Sequence, residues 1–191
     1  MQNIILASQS PRRKQLLQWA EVPFEVRSIE TTESYPADLL PYEVAIHIAR
    51  NKAMTILQDK VSNNEQSPVL AADTIVVLNN EIIGKPADRE SAIAILQKLS
   101  GKKHFVITGV VILFNKSEVA FADTTEVEFH ELTNKQIEFY VDNYKPFDKA
   151  GAYAIQEWIG VIGIKSINGD FYNVMGLPIS RVVKELEKIK K

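Results

Sequence analysis

The sequence predicts an α/β protein whose mixed β-sheet is covered by helices. Short apolar or alternating runs, which are typical of strands, take turns along the chain with stretches whose apolar residues recur at helical spacing. Some strand-like runs stand alone between helices and others are joined by tight turns, so parallel and antiparallel pairs are both expected. No internal repeat or linker interrupts the 191 residues, which predicts one domain over residues 1–191.

The first third of the chain predicts two strands and two helices. The predicted order is a strand over 4–7, a helix from 11 to 19, a strand over 24–29 and a helix over 42–57. Ser10 is a good helix N-cap and Pro11 a good first helical residue. One face of the second helix is apolar, which predicts packing against a sheet. Polar residues and prolines predict loops over 30–41 and 59–67.

The middle of the chain predicts three short strands and a capped helix. The predicted order is strands over 69–72, 75–78 and 81–83, followed by a helix between 88 and 101. Asp73 directly follows the first of these strands, so we expect it at the carboxyl end of a buried strand. Asn79 and Asn80 are typical of a two-residue hairpin turn. Asp88 is a good N-cap, and Gly101 suits the helix end.

The last part of the chain predicts long strands, two helices and a second hairpin. The predicted order is strands over 105–114 and 119–129, a helix, strands over 153–155 and 161–167, and an amphipathic helix over 179–189. Thr133 is a good N-cap for the first helix. Asn168 and Gly169 favour a tight turn that returns the chain through Phe171 and Tyr172.

The composition excludes several classes of protein. The chain has no cysteine, which excludes disulfides, thiolate metal sites and a cysteine nucleophile. A net charge of −2 argues against a nucleic-acid-binding face across the domain but leaves room for a small anion site. No stretch approaches the roughly 20 apolar residues that cross a membrane, and no signal peptide is evident, so a cytoplasmic protein is expected.

Two arginines stand where a helix disfavours positive charge. Arg12 and Arg13 fall in the first turn after Pro11. A cation there costs a few tenths to about 1 kcal/mol, because the N-terminus is the positive end of the helix dipole. An anion would reverse this effect, since backbone N–H groups, the Ser8 and Ser10 hydroxyls and two guanidinium groups can together bind phosphate. Two solvated arginines on a surface helix are an equal alternative.

Three further charged residues also stand out. Lys52 falls on the apolar face of the 42–57 helix, which fits an ammonium directed at a phosphate or a lysine that reaches solvent from the edge of that face. The Asp73 carboxylate is suited to hold a divalent metal or activate a water, and the alternative is an ordinary turn or cap aspartate. Lys85 is suited to bind phosphate as a second cation, and the alternative is simply a lysine in a turn. His104 is expected at the surface, and the histidines show no metal-ligand spacing.

A series of short motifs runs nearly the whole length of the chain. The first is Leu6-Ala7-Ser8-Gln9-Ser10-Pro11-Arg12-Arg13. The others, in order, are Asn51-Lys52-Ala53, Ala72-Asp73-Thr74, Gly84-Lys85-Pro86, Leu99-Ser100-Gly101, Thr108-Gly109-Val110, Asp148-Lys149-Ala150-Gly151-Ala152-Tyr153, Ile155-Gln156 and Asn173-Val174-Met175-Gly176-Leu177-Pro178. Each is weak alone, but together they are specific. In this series the chain resembles the Maf family of nucleoside triphosphate pyrophosphatases.

The resemblance implies a reaction and a fold. The reaction is hydrolysis of a nucleoside triphosphate between the α and β phosphates, which yields a monophosphate and pyrophosphate. The implied cofactor is a divalent metal, Mg²⁺ or Mn²⁺. The implied fold is Maf- or ITPase-like, a single two-lobed domain with a deep nucleotide-binding cleft. The implied role is housekeeping of the nucleotide pool, with a link to septum formation.

The resemblance also implies roles for individual residues. The implied catalytic residues are Asp73, Glu33, Lys52 and Lys85, and Asp73 and Glu33 are also the implied metal ligands. The implied phosphate-binding residues are Ser8, Ser10 and Arg13, and the implied nucleoside-reading residues are Arg12, Thr74 and Gln156. Asp73 would orient or deprotonate the attacking water, and the cations would neutralise the triphosphate.

The nucleoside-reading residues indicate a branch of the family. Arg12, Thr74 and Gln156 resemble the branch that acts on dTTP and UTP, whereas the 7-methyl-GTP branch typically has Trp, Gln and Glu at these positions. A glutamine amide can both donate and accept, which suits the carbonyl and N3–H edge of uracil or thymine. The chain departs from many relatives at Glu157 and Trp158, since a glycine often follows the glutamine there.

Other functions stay open at the level of sequence. The chain could be a nucleotide-sensing regulator of cell division without turnover, or a pyrophosphatase for modified nucleotides such as 7-methyl-GTP. A nucleic-acid-binding module is disfavoured because no basic stripe is visible. The expected partner is therefore a nucleoside triphosphate, without nucleic acid or membrane, and a homodimer is one option for the oligomeric state.

Overall fold

The computed structural model describes residues 3–28, 31, 33–62 and 67–189. The strands in these ranges are β1 Ile4–Leu6, β2 Phe24–Val26, β3 Val69–Leu78, β4 Glu81–Ile83, β5 Lys103–Phe114, β6 Ser117–Phe129 and β7 Ile164–Asn168. The helices are α1 Pro11–Trp19, α2 Pro41–Ser62, α3 Arg89–Leu99, α4 Asn134–Tyr144, α5 Trp158–Gly163, α6 Phe171–Met175 and α7 Ile179–Ile189, with a 3-10 helix at Ala150–Ala152. None of these helices is both long enough and apolar enough to cross a bilayer.

The described strands form a single mixed sheet. Its order is β2-β1-β3-β5-β6-β7, and β4 pairs with β3 outside this path. Strand β1 runs parallel to both β2 and β3, whereas the β3–β4 and β6–β7 pairs are antiparallel. A two-residue turn at Asn115 and Lys116 joins β5 to β6. The predicted α/β class with a mixed sheet and helices is therefore confirmed.

The chain divides into two compact units. The first comprises Met1–Asp73, Thr108–Asp123 and Gly176–Lys191, and the second comprises Thr74–Ile107 and Thr124–Met175. Strands β3, β5 and β6 each contribute residues to both units. Asp73 and Thr74, which are consecutive in β3, therefore belong to different units.

In the first unit, α2 packs closely on the sheet. Its buried face contributes Ala49, Ala53 and Ile56 to a core shared with residues of β1, β3 and β5. Burial of such apolar surface stabilises the fold by roughly 25 cal/mol per Å². Gly109 in β5 is required for this packing, because a Cβ at that position would overlap the backbone of Ala45 in α2. The predicted apolar face of the helix is confirmed, and the helix runs on to Ser62.

The local end signals of the sequence are also confirmed. Asn79 and Asn80 both adopt positive φ in the turn between β3 and β4. The Asp88 side chain accepts a hydrogen bond from the Ser91 N–H at 2.8 Å and so caps α3, and Gly101 follows that helix with φ of 67°. Thr133 caps α4 in the same way. These residues act within their own segment, so sequence reasoning could find them.

The predicted strand end at Asp73 is wrong. Strand β3 runs without a break over Val69–Leu78, and Asp73 lies in its middle. A carboxylate is usually excluded from the centre of a buried strand, but the Lys52 ammonium contacts this one at 2.6 Å. The ion pair therefore allows the strand to continue through Asp73.

The predicted strand over 153–155 is wrong, and the predicted strand over 161–167 is wrong in its first three residues. Residues 153–155 are buried but outside the sheet, and the Ala154 N–H donates to the Tyr140 hydroxyl at 3.1 Å instead of to a strand. Residues 158–163 form α5, and strand β7 begins only at Ile164. The Gly160 N–H donates to the Glu157 carbonyl at 2.9 Å, which starts a helical turn despite the β-branched residues.

The predicted return strand after Asn168 and Gly169 is also wrong. Residues 171–175 form the short helix α6. The Asp170 side chain accepts from the Tyr172 N–H at 2.8 Å, as an N-cap residue does. Capping by Asp170 therefore replaces the predicted hairpin. Ile29, residues 30 and 32, and residues 63–66 of the predicted strand and loops lie outside the described residues.

The predicted surface position of His104 is wrong as well. Its side chain is fully buried in the second unit, where its ring lies edge-on to those of Phe129 and Tyr153. Its Nε2 lies 2.8 Å from the Tyr153 hydroxyl. Burial lowers the pKa of His104 to about 4, against a weaker opposing effect of the Lys102 carbonyl. The neighbouring lysines gave no signal of this aromatic partner, which lies far along the chain.

Candidate active site

The N-terminus of α1 holds a buried guanidinium. The Arg13 Nε donates to the Gly176 carbonyl at 2.8 Å, and its Nη1 donates to the Ser8 hydroxyl at 3.1 Å. The Ser8 hydroxyl also accepts from the Ser10 N–H at 3.2 Å. Arg12 is half-buried next to Arg13. The predicted phosphate-binding residues Ser8, Ser10 and Arg13 thus lie together at the start of this helix.

The helix terminus retains capacity for an anion. Ser10 occupies the N-cap position, but its side chain makes no capping hydrogen bond, and no acidic residue lies in the first turn. Burial lowers the pKa of Arg13, the charges of Asp73 and Glu33 raise it, and Arg12 lowers it. An arginine nevertheless keeps its charge in a protein. The arrangement therefore presents a fixed positive charge together with backbone N–H groups.

Lys52 joins the two carboxylates of the predicted site. Its Nζ lies 2.6 Å from Asp73 Oδ1 and 3.1 Å from Glu33 Oε1. The Lys52 side chain is 17% exposed and that of Asp73 11%, whereas Glu33 is 45% exposed. Lys52 therefore turns from the apolar face of α2 towards β3 and does not extend into solvent. We call Arg13, Glu33, Lys52 and Asp73 the charged cluster.

Two members of the charged cluster, Asp73 and Glu33, are oxygen ligands of the kind that a hard divalent cation takes. Asp73 and Glu33 each accept a hydrogen bond from the Lys52 ammonium, and Mg²⁺ in nucleotide enzymes typically takes one or two carboxylates together with phosphate oxygens. No group of three or more His, Asp or Glu side chains within the described ranges could bind a metal without such help. The two predicted ligands are therefore compatible with Mg²⁺ or Mn²⁺.

The second unit contains the other three predicted residues. Thr74 follows Asp73 in β3 and is half-buried. Lys85 is exposed just after β4, and the carbonyl of its neighbour Gly84 accepts from the Gly151 N–H at 3.3 Å. Gln156 is exposed a few residues beyond Gly151. The backbone thus ties the Lys85 turn to the segment that leads to Gln156.

Sequence reasoning missed a polar network around Gln156. The Lys149 side chain is only 9% exposed, and its Nζ lies 2.8 Å from Asp148 Oδ1 and 3.6 Å from Glu157 Oε1. The buried Tyr140 hydroxyl donates to Glu157 Oε2. The available signal for Lys149 was its position directly before a run of small and apolar residues. Nothing local marked Tyr140, since it falls on the apolar face of α4 like a core residue. We call residues 149–157 the Gln156 segment.

Comparisons with known proteins identify the family. Residues 3–189 match the family of Maf-like proteins, and the chain therefore belongs to the Maf family. The chain is similar to a dTTP/UTP pyrophosphatase of Cytophaga hutchinsonii, with 48% identity over 98% of this chain and 84% of the relative. It is also similar to dTTP/UTP pyrophosphatases of Bacteroides thetaiotaomicron, at 47% over 97% and 95% of the two chains, and Bacillus cereus, at 46% over 98% and 96%. The resemblance seen in the motifs is confirmed.

Proposed function

We propose that this protein hydrolyses dTTP and UTP between the α and β phosphates and releases pyrophosphate. The observation that carries the proposal is the ion pair of Lys52 with Asp73, which keeps a cation and an acid together in the charged cluster beside the buried Arg13. The names of the curated relatives support the reaction and the pair of substrates. A match to one family over residues 3–189 supports one catalytic domain over 1–191.

The proposed mechanism begins with neutralisation of the triphosphate. Arg13, Lys52 and Lys85 would balance its negative charge, and the Ser8 and Ser10 hydroxyls would donate to phosphate oxygens. Asp73 would orient the attacking water and accept its proton as the new P–O bond forms. The bond between the α phosphorus and the oxygen that bridges it to the β phosphate breaks, and pyrophosphate leaves with that electron pair.

Asp73 and Glu33 are the residues that would hold Mg²⁺ or Mn²⁺. A bound metal would withdraw charge from the phosphate and lower the pKa of water. In the protein itself, Lys52 supplies positive charge to both carboxylates, so neither is left as an uncompensated anion.

Arg12, Thr74 and Gln156 would read the nucleoside. The Gln156 amide can donate to a base carbonyl and accept from an N3–H, a combination that uracil and thymine present and cytosine does not. The exposed position of Gln156 supports contact with a ligand. The branch-specific substrate choice and the link to septum formation remain predictions.

The deciding experiment measures pyrophosphate release from a panel of nucleoside triphosphates with and without Mg²⁺. We expect turnover of dTTP and UTP, and a loss of at least about 10³-fold in kcat for Asp73→Asn, because the amide is neither an anion nor a proton acceptor. Asp123→Asn is the matched control, since it replaces another strand aspartate paired with a cation, Arg181.

Two outcomes would contradict the proposal. Saturable binding of dTTP and UTP without pyrophosphate release would favour the nucleotide-sensing regulator. Faster turnover of 7-methyl-GTP than of UTP would place the chain in the other branch. Full activity of a folded Asp73→Asn protein would reject the role of Asp73 alone.

A further inference from the structure

Gln156 is exposed but directly follows a buried run of the chain. The residues before it, Tyr153, Ala154 and Ile155, are each no more than 6% exposed. The Gln156 side chain itself is exposed and makes no hydrogen bond within the described part of the chain. A flexible amide of this kind recognises a base well only if its backbone is held in place beforehand.

One hydroxyl group holds the chain on both sides of Gln156. The Tyr140 hydroxyl accepts from the Ala154 N–H at 3.1 Å, two residues before Gln156, and donates to the Glu157 carboxylate, one residue after it. The Tyr140 side chain is fully buried. The bond to Ala154 is buried and the bond to Glu157 is partly buried, and hydrogen bonds shielded from water are stronger and restrict motion more.

A buried ammonium completes this arrangement. The second oxygen of the Glu157 carboxylate lies 3.6 Å from Lys149 Nζ, and the Lys149 side chain is 9% exposed. Lys149 begins the same segment that Glu157 ends, so the ion pair joins the two ends of the Gln156 segment. Between them, the Ile155 carbonyl packs so closely on Gly160 of α5 that a Cβ at Gly160 would overlap it.

We propose that Tyr140 and Glu157 are positioning residues for base selection. Their hydrogen bond and the Tyr140–Ala154 bond fix the backbone around Gln156, so that its amide meets the base in one orientation. Neither residue needs to touch the nucleotide. This inference rests on the proposed function, in which Gln156 contacts a uracil or thymine base.

Tyr140→Phe tests the inference directly, because it keeps the buried ring and removes both hydrogen bonds. The measured quantity is the ratio of kcat/KM for UTP to kcat/KM for CTP, two nucleotides that differ only at the base edge. We expect the ratio to fall about tenfold through a higher KM for UTP, while kcat for UTP stays within about twofold. The control is Tyr144→Phe, whose ring stacks on Tyr140 but whose side chain is 37% exposed.

A pair of variants at Glu157 tests the same bond from the other side. Glu157→Gln retains an oxygen that can accept from Tyr140, whereas Glu157→Ala does not. We therefore expect Glu157→Ala to lower the selectivity ratio as Tyr140→Phe does, and Glu157→Gln to restore most of it. Equal ratios in the two variants would overturn the assignment.

A double-mutant cycle separates positioning from a general structural effect. If Tyr140 acts through Gln156, Tyr140→Phe will not change the ratio further once Gln156→Ala is present. Additive losses, or an unchanged ratio in Tyr140→Phe, would overturn the inference. So would equal losses of kcat for UTP and CTP, since these indicate only a damaged fold.

Different results would contradict the proposed function and the positioning role. Absence of pyrophosphate release from UTP by the wild-type protein would overturn the proposed function and this inference with it. Release by the wild type together with an unchanged ratio in all Tyr140 and Glu157 variants would overturn only the positioning role.

Discussion

The charged cluster of the first unit and the Gln156 segment of the second are built on different principles. In the charged cluster the functional side chains hold one another, as Lys52 does with Asp73 and Glu33. In the Gln156 segment the proposed base-reading side chain is exposed, and the Tyr140 hydroxyl bonds to Ala154 before it and to Glu157 after it. Under the proposed function, charge neutralisation and base selection would therefore depend on separate sets of contacts. Changes in the first should act on kcat, and changes in the second on KM and selectivity.

Loss of the Lys52 ammonium should have a large effect, second to that of Asp73→Asn. Lys52→Met removes the cation that contacts both carboxylates and keeps the aliphatic stem of the side chain. We expect kcat for UTP to fall about 10²- to 10³-fold, because a preorganised charge at the reacting phosphate is lost. Steady-state pyrophosphate release at saturating UTP measures this.

The matched control for Lys52 is Lys98→Met. It removes a lysine from an exposed ion pair with Glu81, and such pairs contribute little. A loss of kcat in Lys52→Met no greater than in this control would show that the charged cluster does not act on the reaction.

The second unit should show an acid sensitivity that comes from His104. The pKa of His104 is about 4, below the ordinary value of 6.5. Between these two pH values, the unfolded chain binds a proton at His104 and the folded protein does not. Stability should therefore fall as the pH drops from about 6.5 to about 4, by up to about 3 kcal/mol. Urea unfolding between pH 7.5 and pH 4.5 measures this.

His104→Gln isolates the effect of His104 because glutamine does not titrate. We expect its free energy of unfolding to depend less on pH than that of the wild type, whereas His130→Gln, at an exposed position, should leave the dependence unchanged. Parallel pH curves for the wild type and His104→Gln would contradict the prediction.

A change of Gln156 itself should have the smallest effect, limited to the base. Gln156→Glu replaces the amide by a carboxylate that cannot donate to a base carbonyl, so kcat/KM for dTTP and UTP should fall about tenfold. Steady-state kinetics with dTTP, UTP and CTP measure the change. Gln97→Glu, the same substitution on the exposed face of α3, is the control. Unchanged kinetics on UTP would reject the base-reading role.

The sequence predicted those features whose cause lies within a few residues. Caps at Asp88 and Thr133 and the Asn79-Asn80 turn depend on residues close together in the chain. Two members of the charged cluster, Arg13 and Lys52, stood out because each breaks a local preference. The motif resemblance then assigned roles that periodicity alone left open.

The remaining features depend on residues far apart in the chain. Asp73 continues a strand because Lys52 pairs with it, and His104 is buried because Phe129 and Tyr153 cover it. Residues 153–155 read as a strand because apolar runs are typical of one, but their backbone bonds to a tyrosine of α4. Such partners leave no trace in local composition.

The absence of a side chain at Gly109 has a consequence for protein engineering. Ala45, whose backbone lies against Gly109, and Lys52 are seven residues apart and so share one face of α2. A side chain at position 109 would overlap the backbone of Ala45, so it fits only if α2 shifts from the sheet. We therefore expect a substitution at Gly109 to disturb the packing of the helix that carries Lys52, although it changes no residue of the charged cluster.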